Sequence, residues 1–219
     1  WDNLHMGKIE DLDLKKYSLR NINSILQKID YKNNKREYVI KNPYGKHAIC
    51  SGLKEEMSVK INGHVGYYCG GMNQKAMITI NGNAGTGLGE NMMSGIIHVK
   101  GSVSQSAGAS AHGGNIIIDG NASSRCGISM KGINIIVKGS VGHMSAFMAQ
   151  SGTLLICGDA GEALGDSIYE TVIYIAGKPK SLGADCVEKK MNKNDIKKIE
   201  SLLKLGKIKK FKSNNFKKF

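Results

Sequence analysis

The chain has 219 residues, 31 Lys and Arg against 18 Asp and Glu, a net charge of +13, and 41% hydrophobic residues. That length predicts one domain with terminal elements. No apolar run reaches the length of a signal-peptide core or a membrane span, which argues against a secreted or membrane protein.

The charge is unevenly spread. Residues 187–219 hold 12 Lys against 3 acids, residues 1–57 hold 11 Lys and Arg against 8, and residues 58–186 hold 8 against 7. A basic tail can meet nucleic acid, an anionic membrane or an acidic protein. No basic groove interleaved with aromatics supports nucleic acid. The expectation is therefore a solvated surface or an acidic partner subunit, with no nucleic acid and no membrane. The five cysteines show no CxxC spacing, which predicts reduced thiols in a cytoplasmic protein. The chain opens on Trp1 rather than Met, which predicts further residues upstream.

Residues 1–57 read as a capping or docking segment. Ser18 is placed to cap a short helix with Leu19, Ile22, Leu26 and Ile29 on one stripe.

Residues 58–186 are a repeat. Gly63, Gly82, Gly101, Gly120, Gly139, Gly158 and Gly177 recur every 19 residues. A fixed period of this size marks stacked units, none of which can bury its apolar face alone. Four and two residues before each glycine stand Val59 and Ile61, Ile78 and Ile80, Ile97 and Val99, Ile116 and Ile118, Ile135 and Val137, Leu154 and Ile156, Ile173 and Ile175. This alternation of branched side chains reads as a strand with one buried face. Two residues after the glycines come Val65, Ala84, Val103, Ala122, Val141 and Ala160, and seven after come Gly70, Gly89, Gly108, Gly127, Ala146, Gly165 and Ala184. Small residues there suit turns in which φ is positive or backbones approach closely. The predicted fold class is an all-β core: a right-handed parallel β-helix of about seven 19-residue coils with N- and C-terminal helical caps. The left-handed alternative would show an apolar residue about every six residues and a period near 18.

Residues 187–219 form a basic helix and tail. Asn194 is placed to cap a helix bearing Ile196, Ile199, Leu202 and Leu203, with Gly206 as its stop. Leu205, Ile208 and Phe211 follow with the weak alternation of an extended tail. Helices or loops are expected to cover the open strand edges at both ends of the stack.

Tests for chemistry find little. Gly85-Thr86-Gly87-Leu88-Gly89 resembles a phosphate loop, but the following residues continue the repeat rather than open a helix, so the glycines read as corners. The four histidines of the repeat, His64, His98, His112 and His143, share no repeat column, so no metal ligand set is predicted. Asp166 and Asp185 lie eight residues after their glycines and are expected to stack on adjacent coils. Such carboxylates could do acid–base work on a sugar, but only Glu90 joins the column, so a solvated or partner-facing pair is expected. No catalytic set is predicted in this chain.

The stretches eight to twelve residues after each glycine mix Met and Phe with Ser, Asn, Gln and His, which is typical of protein interfaces. The competing expectation is that some methionines turn inward and fill the prism. The candidate interface residues are Tyr67, Tyr68, Asn91, Met92, Met93, His112, Met130, Lys131, Phe147, Met148, Gln150, Asp166 and Tyr169.

Several segments carry a family resemblance. Gly63-His64-Val65-Gly66-Tyr67-Tyr68-Cys69, Gly89-Glu90-Asn91-Met92-Met93-Ser94-Gly95, Arg125-Cys126-Gly127-Ile128-Ser129-Met130-Lys131-Gly132 and Gly142-His143-Met144-Ser145-Ala146-Phe147-Met148-Ala149-Gln150 resemble the GXGXG β-helix domain of glutamate synthases. The match is best with the separate small subunit of N-methylglutamate synthases. It runs from about Asn42 to Cys186, some two-thirds of the chain. The resemblance implies a non-catalytic scaffold with two partners, an amidotransferase-like subunit and a flavin-containing synthase subunit carrying FMN and an iron–sulfur cluster. The implied reaction converts glutamate and methylamine to N-methylglutamate and ammonia. A formylmethanofuran dehydrogenase subunit of the same fold is a weaker resemblance. A stand-alone carbohydrate-binding β-helix is a further alternative, but it predicts an aromatic groove, and Tyr67, Tyr68, Phe147, Tyr169 and Tyr174 form no column.

Overall fold

The structure is a computed structural model and describes residues 9–28 and 37–219. The repeated strands are β3 (Ser58–Asn62), β4 (Met77–Asn81), β5 (Ile96–Val99), β6 (Asn115–Ile118), β7 (Lys131–Val137), β8 (Ser151–Ile156) and β9 (Val172–Ile175). They stack in parallel, in sequence order, as one sheet. The register pairs Val59 with Ile78, Ile78 with Ile97, Ile97 with Ile116, Ile116 with Ile135, Ile135 with Leu154 and Leu154 with Ile173. All fourteen residues of the two predicted columns are 0% exposed and fill the interior. Val65, Ala84, Val103, Ala122, Val141 and Ala160 line a second buried column, and most of them bridge to the next coil. The parallel β-helix is thus the observed fold.

The stack starts earlier than residue 58. Strands β1 (Glu10–Asp13) and β2 (Glu37–Lys41) add two parallel rungs ahead of β3. Leu12 pairs with Ile40 and Ile40 with Ile61, so both extend the interior column. Helix α1 (Leu19–Gln27) lies between them. The Ser18 side chain caps α1 by accepting from the Asn21 amide at 3.2 Å. Ile22 and Leu26 are buried as the stripe predicts, while Ile29 lies outside the described residues. The Asn23 side chain of α1 donates to the Ala48 carbonyl and accepts from the Cys50 amide, which pins the helix over residues 48–51.

The C-terminal end is arranged differently from the expectation. Helix α2 spans Lys193–Leu205 and is capped by Asn192, two residues before the expected Asn194. The Asn192 side chain accepts from the Asn194 and Asp195 amides, and the Asp195 carboxylate accepts from the Asn192 amide, closing a capping box. Gly206 does stop the helix. Instead of covering the strand edge, α2 lies on the outer face of the sheet. Ile199, Leu202 and Leu203 form a second apolar cluster there with Ile117, Ile136, Leu155 and Tyr174. The exposed edge is covered by the tail: β10 (Lys217–Lys218) pairs antiparallel with β9, and Phe219 exchanges backbone hydrogen bonds with Ile173 at 3.0 and 2.9 Å. Among the described residues no helix is long and apolar enough to cross a membrane.

Candidate functional site

The repeat glycines act mainly through close approach. Only Gly63 of the seven has a positive φ. A Cβ added at Gly82, Gly101, Gly120, Gly139 or Gly158 would lie 2.6–2.8 Å from the backbone of the preceding repeat glycine. No real side chain tolerates that distance. The Gly101 to Gly177 amides donate to the carbonyl of the preceding repeat glycine at 2.8–3.0 Å, forming a ladder along the prism.

The residue after each of these glycines forms a second ladder, of side chains. His64, Asn83, Ser102, Asn121, Ser140 and Asp159 each accept from the backbone amide one coil onward, at 2.8–3.0 Å. These polar groups are therefore structural. Their signal in the sequence is a polar residue at one repeat position in coil after coil.

The corners build the outward face. The fifth, seventh and ninth residues after the first six repeat glycines take left-handed conformations: Tyr68, Gly70 and Met72 in one coil, Gly87, Gly89 and Asn91 in the next, then Ser106, Gly108 and Ser110, Arg125, Gly127 and Ser129, Met144, Ala146 and Met148, and Ala163, Gly165 and Ser167. Each left-handed non-glycine residue stores about 1 kcal/mol or more. Inter-coil hydrogen bonds hold the conformation: the Asn91 amide reaches forward to the Ala109 carbonyl, and the Gly89 amide reaches back to the Cys69 carbonyl, both at 2.9 Å. Gly87 and Gly89, suspected of cradling phosphate, are two of these corners.

Alternation along the corner decides which candidates face solvent. Asn91, Met93, His112, Lys131, Met148, Gln150, Tyr67, Tyr68 and Tyr169 are exposed, and Phe147 and Asp166 are half-buried. Met92 and Met130 are 0% exposed and belong to the core. They stand at the tenth position after their glycines, which turns inward between two outward ones. Asn73, Ala111 and Ala149 occupy the same buried column. Met72, 55% exposed, lies in the first of the stretches read as outward-facing, though it is not among the candidate residues, and stands one coil before Met93. At the other end of the face Met148 is 46% and Tyr169 72% exposed, beside Phe147. Between these two apolar spots lie Ser110, His112, Ser129 and Lys131. Tyr67 and Tyr68 sit apart, at an earlier corner, where the Tyr67 ring stacks on His47 with centroids 4.4 Å apart.

Asp166 and Asp185 do not stack. Leu164 pairs with Leu182, a step of 18 residues, because the last coil is one residue short. Asp166 therefore faces Ala184, whose amide donates to its carboxylate at 3.4 Å, and it also accepts from the Ser167 hydroxyl at 2.8 Å.

Several other reactive groups are engaged or hidden. His98 lies 2.8 Å and Lys138 2.7 Å from the Asp119 carboxylate, a clip across three coils. Burial raises the Asp119 pKa, but the hydrogen bonds from Lys138 and His98 and their charges together outweigh it, and the carboxyl titrates below its ordinary value. All five cysteines are free and buried. Burial pushes the thiols of Cys69 and Cys126 up to about 12 and that of Cys157 to about 11, which disfavours thiolate chemistry. Among the described residues no group of three or more His, Cys, Asp or Glu could hold a metal ion.

Comparison with known proteins gives two matches. The family model described as GXGXG motif matches residues 12–218, a span running from β1 to β10. Protein GlxC of Rhizobium meliloti (strain 1021) is 49% identical over 208 residues, covering 95% of this chain and 91% of that protein.

Proposed function

Because the chain belongs to the GXGXG motif family, we propose that it is a scaffold subunit, without catalytic residues of its own, of a glutamate-synthase-like complex of the N-methylglutamate synthase type. The complex transfers methylamine onto the glutamate skeleton and releases ammonia. An amidotransferase-like subunit and a flavin-containing synthase subunit, the latter carrying FMN and an iron–sulfur cluster, are its partners. The observation that carries this reading is the corner face. Met72, Met93, Met148 and Tyr169 stand outward on a backbone locked by inter-coil hydrogen bonds. A backbone held in this way makes a preorganised docking surface, so ordering on binding is confined to the side chains. His64, His98, Asp119 and Asp159, which could carry chemistry, are used to brace the coils. The compartment in this reading is the cytoplasm, which five buried free thiols support.

The test is purification of the chain from its native host, with an absorbance scan of the eluate. Two larger proteins and a flavin spectrum are expected, followed by N-methylglutamate formation from glutamate and methylamine. A solitary, colourless protein would overturn the reading.

A further inference from the structure

A second surface, on the flank covered by α2, carries most of the unbalanced charge. Of the 12 lysines in residues 187–219, Lys217 pairs with Glu188 at 3.3 Å and Lys218 with Asp195 at 2.8 Å. The others have no ion pair among the described residues. Such a density of like charge destabilises the compact state unless something of opposite sign covers it. The last turns of α2 and the returning tail also enclose an open groove of about 590 Å³. Leu203, Ile208 and Phe211 line it, together with Lys204, Lys212 and Glu200.

We propose that this groove and its lysine rim dock a carboxylate-rich polypeptide segment with an apolar side chain, supplied by a partner protein. Charge complementarity fixes the sign of the ligand, and the apolar floor asks for an anchor that a bare polyanion lacks. Single-stranded nucleic acid binds through exposed aromatic faces. Phe211 is the one aromatic that lines the groove, so successive bases would have no series of rings to stack on. A lipid surface would need the apolar stripe of α2, and Ile199 and Leu202 of that stripe are buried against the sheet. The proposal rests on the scaffold reading only in taking the partner to be a protein.

The probe is a fluorescein-labelled Glu-rich peptide with a central Leu pair, titrated with the full chain and followed by anisotropy. The comparators are the same peptide with Ser for Leu, an oligothymidylate of equal charge, and phosphatidylserine vesicles. The Leu peptide is expected to bind at least about tenfold more tightly than each comparator. Lys204→Glu with Lys212→Glu abolishes this preference, while Lys46→Glu with Lys60→Glu, on other exposed surfaces, leaves it unchanged. Circular dichroism checks the fold, and Lys204→Gln with Lys212→Gln replaces the reversed pair if that pair does not fold. Equal binding of the Ser peptide, tighter binding of the oligonucleotide or vesicles, or wild-type binding by the groove variants each overturns the proposal. The assay needs no other subunit, so its failure is distinct from failure to co-purify with a synthase.

Discussion

Neighbouring residues with the same side chain have opposite fates here. Met92 is fully buried and Met93 is 48% exposed. Met92→Ala should cost about 2–5 kcal/mol in chemical denaturation, the usual range for emptying a core methionine site. Met148→Asp should leave the melting temperature unchanged while reducing co-purification of partner subunits; undiminished co-purification would remove the corner face from the interface. The sequence already held the methionines, but not the phase of the corner. Within strands the period of two is plain, whereas in the corners the left-handed residues shift the phase. Gly120 gives a third case. A Cβ there meets the Gly101 carbonyl oxygen at 2.8 Å, so Gly120→Ala should cost about 1–3 kcal/mol, the usual price of overpacking. Asp119 gives a pH signature. Its folded pKa lies below the unfolded value, so the native state holds fewer protons in the acid range and stability rises with pH there. Its contribution is complete above the unfolded pKa and disappears as pH falls through the folded one. Asp119→Asn should therefore flatten the acid limb of a stability–pH curve while leaving its alkaline side parallel to wild type.

Elements outside the fixed period were the hardest to read. The step from Tyr38 to Val59 is 21 residues, and that from Leu12 to Ile40 is 28, because α1 is inserted. No 19-residue comparison finds those rungs, although Leu12 and Ile40 have the right chemistry for the interior column. The seat of α2 was legible in principle. The residue between the two buried ones of each strand runs Lys60, Thr79, His98 and then Ile117, Ile136, Leu155, Tyr174. This change from polar to apolar marks where the helix lies. One buried contact ties three elements together: the Tyr174 hydroxyl of β9 donates to Asp195 of α2 at 2.6 Å, and Lys218 of β10 meets the same carboxylate. Burial and the Asp195 hydrogen bond both raise the Tyr174 phenol above its ordinary pKa. Tyr174→Phe should cost about 1.5–3 kcal/mol, as for a hydrogen bond to a charged group. The loss should appear first as faster hydrogen exchange in α2.

At the scale of the molecule, the two ends are not equivalent. β10 runs against the parallel stack, and Phe219 seats at 7% exposure against the last rung. Removing residues 213–219 would bare the β9 edge, and open edges pair with other chains. The truncated protein should form oligomers in light scattering where the full chain does not. Within the stack each coil touches mainly its neighbours, so stability is close to a sum of coil and interface terms. The period has a further consequence. Rungs come at about 4.8 Å, and from β3 to β9 the interior columns stay in line at a constant step of 19 residues. The prism is therefore a ruler with whole-number markings. Excising one coil of 19 residues would bring any two groups that flank it on a column closer by one rung with their facing preserved. Excising a few residues more or fewer would keep the columns in line only where a loop took up the difference, as the segment bearing α1 does between β1 and β2.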